Sequence, residues 1–204
     1  MGKPNKFFIL GTICILGGIL LFSYNMLEDY QVGKRIDSVK ERLQKENLDQ
    51  VADREEEGPD YLKNPHMEMP VVVIDGKEYI GYVIIPSLGL ELPVLSSWSY
   101  EDLKIAPGRY EGSVYLNNMI LLAHNYQVHF GKLHQLEVGD IIRFKDMKDH
   151  TFDFSVEKKE ELTSIQVEDM VSGDWDFTLF TCTLGGEART TIRCKLIEKD
   201  ENLR

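Results

Sequence analysis

The hydrophobic pattern divides the chain into three textures. From Phe7 to Leu27 it is almost wholly apolar, FFILGTICILGGILLF followed by Ser23, Tyr24, Asn25, Met26 and Leu27, without a charged residue. Roughly 20 helical residues cross a hydrocarbon core of about 30 Å, so this stretch predicts a transmembrane anchor. From Glu28 to about Asp60 the sequence is charged and helix-compatible, with Val32, Ile36, Val39 and Leu43 at helical spacing. That pattern predicts a helical stalk or linker. Its end is marked by Gly58-Pro59, Asn64-Pro65 and Pro70.

From Val71 onward short β-branched and aromatic runs alternate with turn residues. VVVI, the turn signal Asp75-Gly76 and YIGYVIIP (Tyr79 to Pro86) predict a hairpin entering a sheet. Further strands are expected at Glu91 to Leu95, Ser113 to Tyr115, Met119 to Ala123, Asp140 to Phe144, Thr151 to Thr163, Phe177 to Thr181 and Thr190 to Ile197. Short helices are expected only around Tyr100 to Lys104 and Tyr126 to Leu133. Seven or eight strands with so little helix predict a mainly β domain, closed into a barrel that leaves no exposed sheet edge.

Composition narrows the function. The 204 residues include 2 Trp, 9 Tyr and 9 Phe, enough for a real core, and carry 34 acidic against 23 basic residues for a net charge of −11. No Lys/Arg cluster appears in the folded part, which argues against nucleic acid. Lys3 and Lys6 precede the apolar run and Glu28 and Asp29 follow it, so the short N-terminal tail is expected in the cytoplasm and the rest outside. A cleavable signal peptide is the competing reading, but no small-residue cleavage site closes the run. The strongly acidic remainder makes attraction to anionic lipid unexpected. Three widely spaced cysteines form no disulfide framework. Cys14, within the apolar run, reads as filler.

The residues with chemical promise gather near the C-terminus. The strand Thr178 to Phe180 runs into Thr181-Cys182, then a Gly185-Gly186 turn, then a strand carrying Arg189. Antiparallel pairing about that turn sets Cys182 opposite Arg189, with Cys194 opposite Phe177 on the other face. A nearby cation lowers a thiol's pKa and stabilises an oxyanion, while Arg193, on Arg189's face, is the reserve for that role. A cysteine nucleophile needs a histidine, from His66, His124, His129, His134 and His150. His124 ends an apolar strand and opens a turn with Asn125, where functional side chains emerge. His129 and His134 find no third ligand for a metal. Acid pairs such as Glu101-Asp102 and Glu168-Asp169 are ordinarily just solvated, so neither a metal nor a cofactor is expected.

Together these residues resemble the sortase family. TLFTC (Thr178 to Cys182) is similar to its Thr-Leu-x-Thr-Cys signature, Arg189 follows on the next strand, and the His124-Asn125 pair lies upstream. GYVIIPSLGLELPV (Gly81 to Val94) and FGKLHQLEVGD (Phe130 to Asp140) resemble further family segments, so the likeness covers about residues 70 to 198. It implies an eight-stranded barrel and a cysteine transpeptidase that reads a Leu-Pro-x-Thr-Gly-like sorting signal on secreted proteins. The acyl group would pass to an amine of a peptidoglycan precursor or another surface protein. Carried over residue by residue, Cys182 is the nucleophile, His124 the general acid and base, and Arg189 the stabiliser of substrate and oxyanion.

The implied organisation is a cytoplasmic tail over 1–6, an anchor over 7–27, a stalk over 28–70 and a catalytic barrel over 71–204, on a single-pass membrane protein with its catalytic domain outside the cell. The loop Ser164 to Asp176 occupies the place where family members cradle the signal, with Ile165, Val167, Val171, Trp175 and also Thr181 as the expected substrate contacts. Ala123 stands where many members have Gly. The surroundings of His124 and Arg189 look like class B, yet the interval between Thr163 and Phe177 is too short for that class's helical insertion. No lid motif or second apolar span supports the pilin-polymerising class C. Two other readings use the same residues: a cysteine peptidase releasing product to water, and a non-catalytic anchored barrel that binds peptide with Cys182 inert.

Overall fold

The computed structural model describes residues 6–50, 59–163, 165–183 and 185–197. Lys3 and most of the expected cytoplasmic tail, Gly58 at the stalk boundary, Ser164 and Leu184 lie outside the described residues. Helix α1 (Lys6–Gln50) is continuous, so the apolar run and the stalk share one helix without a break at Glu28. Among the described residues it is the helix long and apolar enough to cross a membrane, and its side chains from Lys6 to Leu27 are exposed. Val32, Ile36, Val39 and Leu43 form a stripe on one face and are all buried. Val32 and Ile36 join the barrel's main core, and Val39 and Leu43 pack with Val72, Ile74, Tyr79 and Tyr82. The stripe therefore answers a barrel surface. Ion pairs from Lys40 to Glu91 and from Arg42 to Asp75 flank it.

Leu43 has no exposure, so a charge there is left without water or a partner. Leu43→Asp is expected to weaken docking of this helix by about 2–4 kcal/mol. Limited proteolysis reads it as new cleavage after Glu28 in a chain whose barrel stays resistant.

After a single turn, α2 (Asp60–Lys63), the strands are β1 (Val72–Ile74), β2 (Lys77–Ile85), β3 (Leu90–Leu95), β4 (Gly108–Glu111), β5 (Met119–Ala123), β6 (Ile141–Asp146), β7 (Thr151–Thr163), β8 (Phe177–Cys182) and β9 (Ala188–Leu196). They pair in the order β1-β2-β3-β4-β5-β8-β9-β7-β6, and β6 returns to β2. That last pairing closes eight strands, β2 through β9, into a barrel and leaves β1 as an appendage on β2. The barrel interior follows the two-residue alternation: Phe152, Phe154 and Val156 on β7 point in with Phe177 and Leu179 on β8 and Ile192 and Cys194 on β9.

Two local expectations change. Ser113 to Tyr115 is a 3-10 turn (Val114–Leu116), not a strand: the Ser113 hydroxyl caps it by accepting from the Tyr115 N–H, and Asn117 ends it in the left-handed region. The short strand β4, with one buried residue in the sequence GRYE, gives no period-two signal. The expected helices shrink to a 3-10 turn at Asp102–Lys104 and another at Leu133–Gln135, and a third short helix, α3 (Val167–Val171), lies between β7 and β8. Among the described residues, the connection from β7 to β8 thus holds a single five-residue helix and no long insertion.

Candidate active site

Strands β5 and β8 run parallel in register, with Met119 beside Phe177 and Ala123 beside Thr181. The next residues, His124 and Cys182, therefore leave the ends of neighbouring strands side by side. The Thr181 hydroxyl donates to the Ala123 carbonyl at 2.8 Å and locks the two ends together. Thr181 is buried, and this side chain ties the two strands together.

On the other side β8 pairs antiparallel with β9, and the register sets Cys182 opposite Arg189, as the turn residues imply. Gly185 and Gly186 both have positive φ, which makes the tight reversal accessible. Cys194 faces Phe177 and is fully buried, and burial pushes its thiol pKa upward. Cys182 is partly exposed.

Period-two alternation puts Cys182 with Thr178 and Phe180 on the outer face of β8, and Arg189 with Thr191 and Arg193 on the outer face of β9. The two arginines have different surroundings. Arg193 is buried, donates from Nε to Glu160 at 2.9 Å and from Nη1 to Thr178 Oγ1 at 3.2 Å, and reaches the carbonyls of Met170 at 2.7 Å and Asp169 at 2.5 Å. Its guanidinium is committed to tying α3 to the barrel. Arg189 is partly exposed, and its bonds among the described residues both run from Nη1, to the Gly186 and Ala188 carbonyls. The rest of its fork is available at the rim.

His124 opens a tight loop. The Phe130 N–H donates to the His124 carbonyl, and the N–H groups of His129 and Gly131 both reach the Tyr126 carbonyl at 2.9 Å. A side chain at Gly131 would place its Cβ 2.4 Å from the Asn125 carbonyl, so only glycine allows the loop to close. Burial lowers the His124 pKa, the Tyr100 carbonyl favours the charged ring, Lys104 opposes it and Glu28 favours it. Its Nε2 is buried without a partner among the described residues. Burial thus favours the neutral imidazole, the form that can accept a proton.

The other histidines have plain occupations. His150 bonds the buried Asp146 through Nδ1 at 2.8 Å, and His134 Nδ1 meets the Gly131 carbonyl at 2.9 Å. His129 is fully buried, and burial, with a smaller push from His124, brings its pKa down to about 4. The unfolded chain binds a proton there below about 6.5. Stability should therefore fall as pH drops from about 6.5 towards 4, by roughly 3 kcal/mol if this group acted alone. Urea titrations at pH 7 and pH 4.5 should show His129→Leu losing that part of the acid sensitivity.

The expected substrate contacts divide. Ile165 is 88% exposed and Val167 and Val171 face outward from α3, while Trp175 is half-buried and lies against Gly173. A contiguous apolar patch lies beside them: Ile120, Leu122, Leu103, Leu162, Met170 and Phe180 pack on the outer face of the barrel. Trp98, Tyr110 and Phe180 extend it as an aromatic file with centroids 5.9 and 5.4 Å apart. Phe180 and Leu122 were findable, since each precedes a candidate catalytic residue by two on the same face. Trp98 and Leu103 precede β4, Tyr110 lies on it and Met170 on α3, all distant in sequence from the candidate catalytic residues, and they carry no such signal.

Comparison with known proteins decides the family. The Sortase domain family matches residues 83–197, more than half of the chain. The chain belongs to the sortase family. This sortase is 27% identical to sortase A of Bacillus anthracis over 193 residues, covering 89% of each chain. Among solved structures, sortase C from Clostridium perfringens SM101 is 25% identical with a TM-score of 0.51, the match covering 81% of this chain and 91% of that one. Sortase C1 of Streptococcus agalactiae superposes with a TM-score of 0.60 at 22% identity, covering 74% and 96%, a likeness of fold. A sortase A relative beside sortase C neighbours fixes the family and not the class. Membership makes this a protein of the cysteine transpeptidase family, and its long apolar N-terminal helix suits a membrane-anchored member.

Proposed function

We propose that this sortase joins a sorting-signal peptide to an amine through Cys182, His124 and Arg189. The observation that carries the reading is the register: β5 and β8 end together so that His124 stands beside Cys182, and β9 sets Arg189 opposite Cys182 on the same outer face. His124 takes the thiol proton and the thiolate sulfur attacks the carbonyl carbon of the threonine in a Leu-Pro-x-Thr-Gly-like signal. Arg189 stabilises the resulting oxyanion. The carbon–nitrogen bond to glycine breaks as the imidazolium gives its proton to the leaving amine, and a thioester to Cys182 remains. An incoming amine, from a peptidoglycan precursor or another surface protein, gives its proton to His124, forms the new amide and frees the thiolate.

The patch of Ile120, Leu122, Phe180, Leu162 and Met170 fits the apolar Leu-Pro end of such a signal, with α3 as its outer wall. The donors are secreted proteins bearing the signal, met outside a membrane that α1 crosses with its N-terminus in the cytoplasm. The test mixes the full chain in detergent with sorting-type pentapeptides, with and without added amines. Amide product in the presence of an amine supports transpeptidation. Hydrolysis indifferent to amines supports a peptidase, and no turnover by folded protein supports a peptide-binding barrel.

A further inference from the structure

The loop that carries His124 is also held from outside the barrel, by the turn of α1 next to the apolar span. Glu28 and Asp29 are the first two residues after that span, and both reach the loop. The Tyr126 hydroxyl donates to Glu28 Oε1 at 3.0 Å, and the Gln127 N–H donates to Asp29 Oδ1 at 3.2 Å. One helical turn on, Gly33 faces Val128, which a Cβ at Gly33 would meet at 3.7 Å. Three consecutive loop residues therefore lie against one short stretch of α1. The Tyr126 side chain links that stretch to His124: its ring lies 5.2 Å from the His124 ring and 5.5 Å from the His129 ring. Tyr126 is wedged between the two histidines and pinned at its far end by a carboxylate.

We infer that Glu28 and Tyr126 are a positioning pair, through which the membrane-proximal turn of α1 fixes the His124 ring at the rim of the active site. The inference rests on the role proposed above for His124. Neither residue touches a reacting atom; both act through the imidazole. Tyr126 supplies the wall against which the ring packs, and Glu28 keeps that wall from rotating away. Glu28 also places a negative charge near enough to the ring to favour its protonated form. The groups bearing on His124 are Glu28 from α1, the Tyr100 carbonyl and Lys104 from the segment before β4, Tyr126 and His129 from its own loop, and Cys182 and Arg189 from the ends of β8 and β9. Glu28 is the carboxylate among them, so removing its charge has a defined sign: the protonated ring loses support and its titration midpoint falls. A catalytic domain cut free of α1 keeps its nucleophile but loses the brace on its histidine.

The experiment uses the full chain in lipid nanodiscs with isotope-labelled histidine. The His124 ring signal, assigned by its disappearance in His124→Gln, is titrated in wild type, Glu28→Gln, Tyr126→Phe and Lys40→Gln. Lys40→Gln removes a tie between α1 and Glu91 that lies away from Tyr126, and so controls for looser docking of the helix. The expected result is a midpoint lower by roughly half a pH unit in Glu28→Gln, where the charge is lost, and unchanged in Tyr126→Phe, which keeps that charge, and in Lys40→Gln. Peptide-to-amine transfer should fall about three- to tenfold in kcat with KM held in the first two variants. An unchanged midpoint in Glu28→Gln, an equal shift in Lys40→Gln, or an unchanged kcat in both Glu28→Gln and Tyr126→Phe would overturn the inference. Because the titration needs no turnover, a wild-type protein without transferase activity would count against the function while the positioning pair is still read.

Discussion

Cys182→Ala is expected to abolish peptide-to-amine transfer, with a loss of at least about 10³-fold, and His124→Ala to come close to it. Neither change should move the unfolding midpoint by more than a few degrees, since both side chains are only partly buried at strand ends. No other thiol can substitute. Cys194 lies inside the barrel opposite Phe177 with its pKa pushed upward, and Cys14 sits in the apolar part of α1. The two variants should separate in labelling: His124→Ala keeps a thiol that alkylates slowly, whereas Cys182→Ala loses rim labelling altogether. Residual transfer in Cys182→Ala above a few per cent would remove the covalent mechanism.

The second large effect is a division between two arginines on one face. Arg189→Ala should lower kcat/KM by about 10²-fold and leave stability almost unchanged, because among the described residues its side-chain bonds reach only carbonyls of its own turn. Arg193→Ala should do the reverse. It leaves Glu160 to Lys158 alone and frees the carbonyls of Asp169 and Met170, at a cost of about 2–4 kcal/mol, with activity lost in step with folding. Arg193→Lys should recover part of that stability, since an ammonium can satisfy only some of four partners in different directions. Denaturant midpoints and initial rates on the same samples distinguish the pair. Equal activity losses at equal stability would assign the cationic role to neither residue alone.

Much of this was legible in the sequence because its signals are short-range. The β8–β9 register follows from Gly185-Gly186 and a two-residue period, so Cys182 opposite Arg189 and Cys194 on the other face could be read from spacing. The parallel pairing of β5 with β8 could not. Nothing between His124 and Cys182 in sequence announces that two strands so far apart lie side by side, and only the resemblance to sortases joined them. The helical stripe at Val32, Ile36, Val39 and Leu43 announced a buried face but not its partner, which is the barrel surface. The Thr181 hydroxyl, next to the nucleophile in sequence, is turned by its parity inward onto the Ala123 carbonyl, a contact that spacing alone does not show. Arg189 and Arg193 share a face and a residue type, and only the carbonyls of α3 tell them apart. The Trp98–Tyr110–Phe180 file unites three segments and has no local signature.

The most direct test of the central claim is intact-mass spectrometry of the full chain quenched shortly after mixing with a cleavable sorting-type peptide. The account predicts a mass increase equal to the acyl fragment ending in threonine, mapped to the peptide holding Cys182. Hydroxylamine should remove it, Cys182→Ala should lack it, and an added amine should discharge it to an amide. Turnover with no acyl adduct on Cys182, or an adduct that amines fail to discharge, would contradict it.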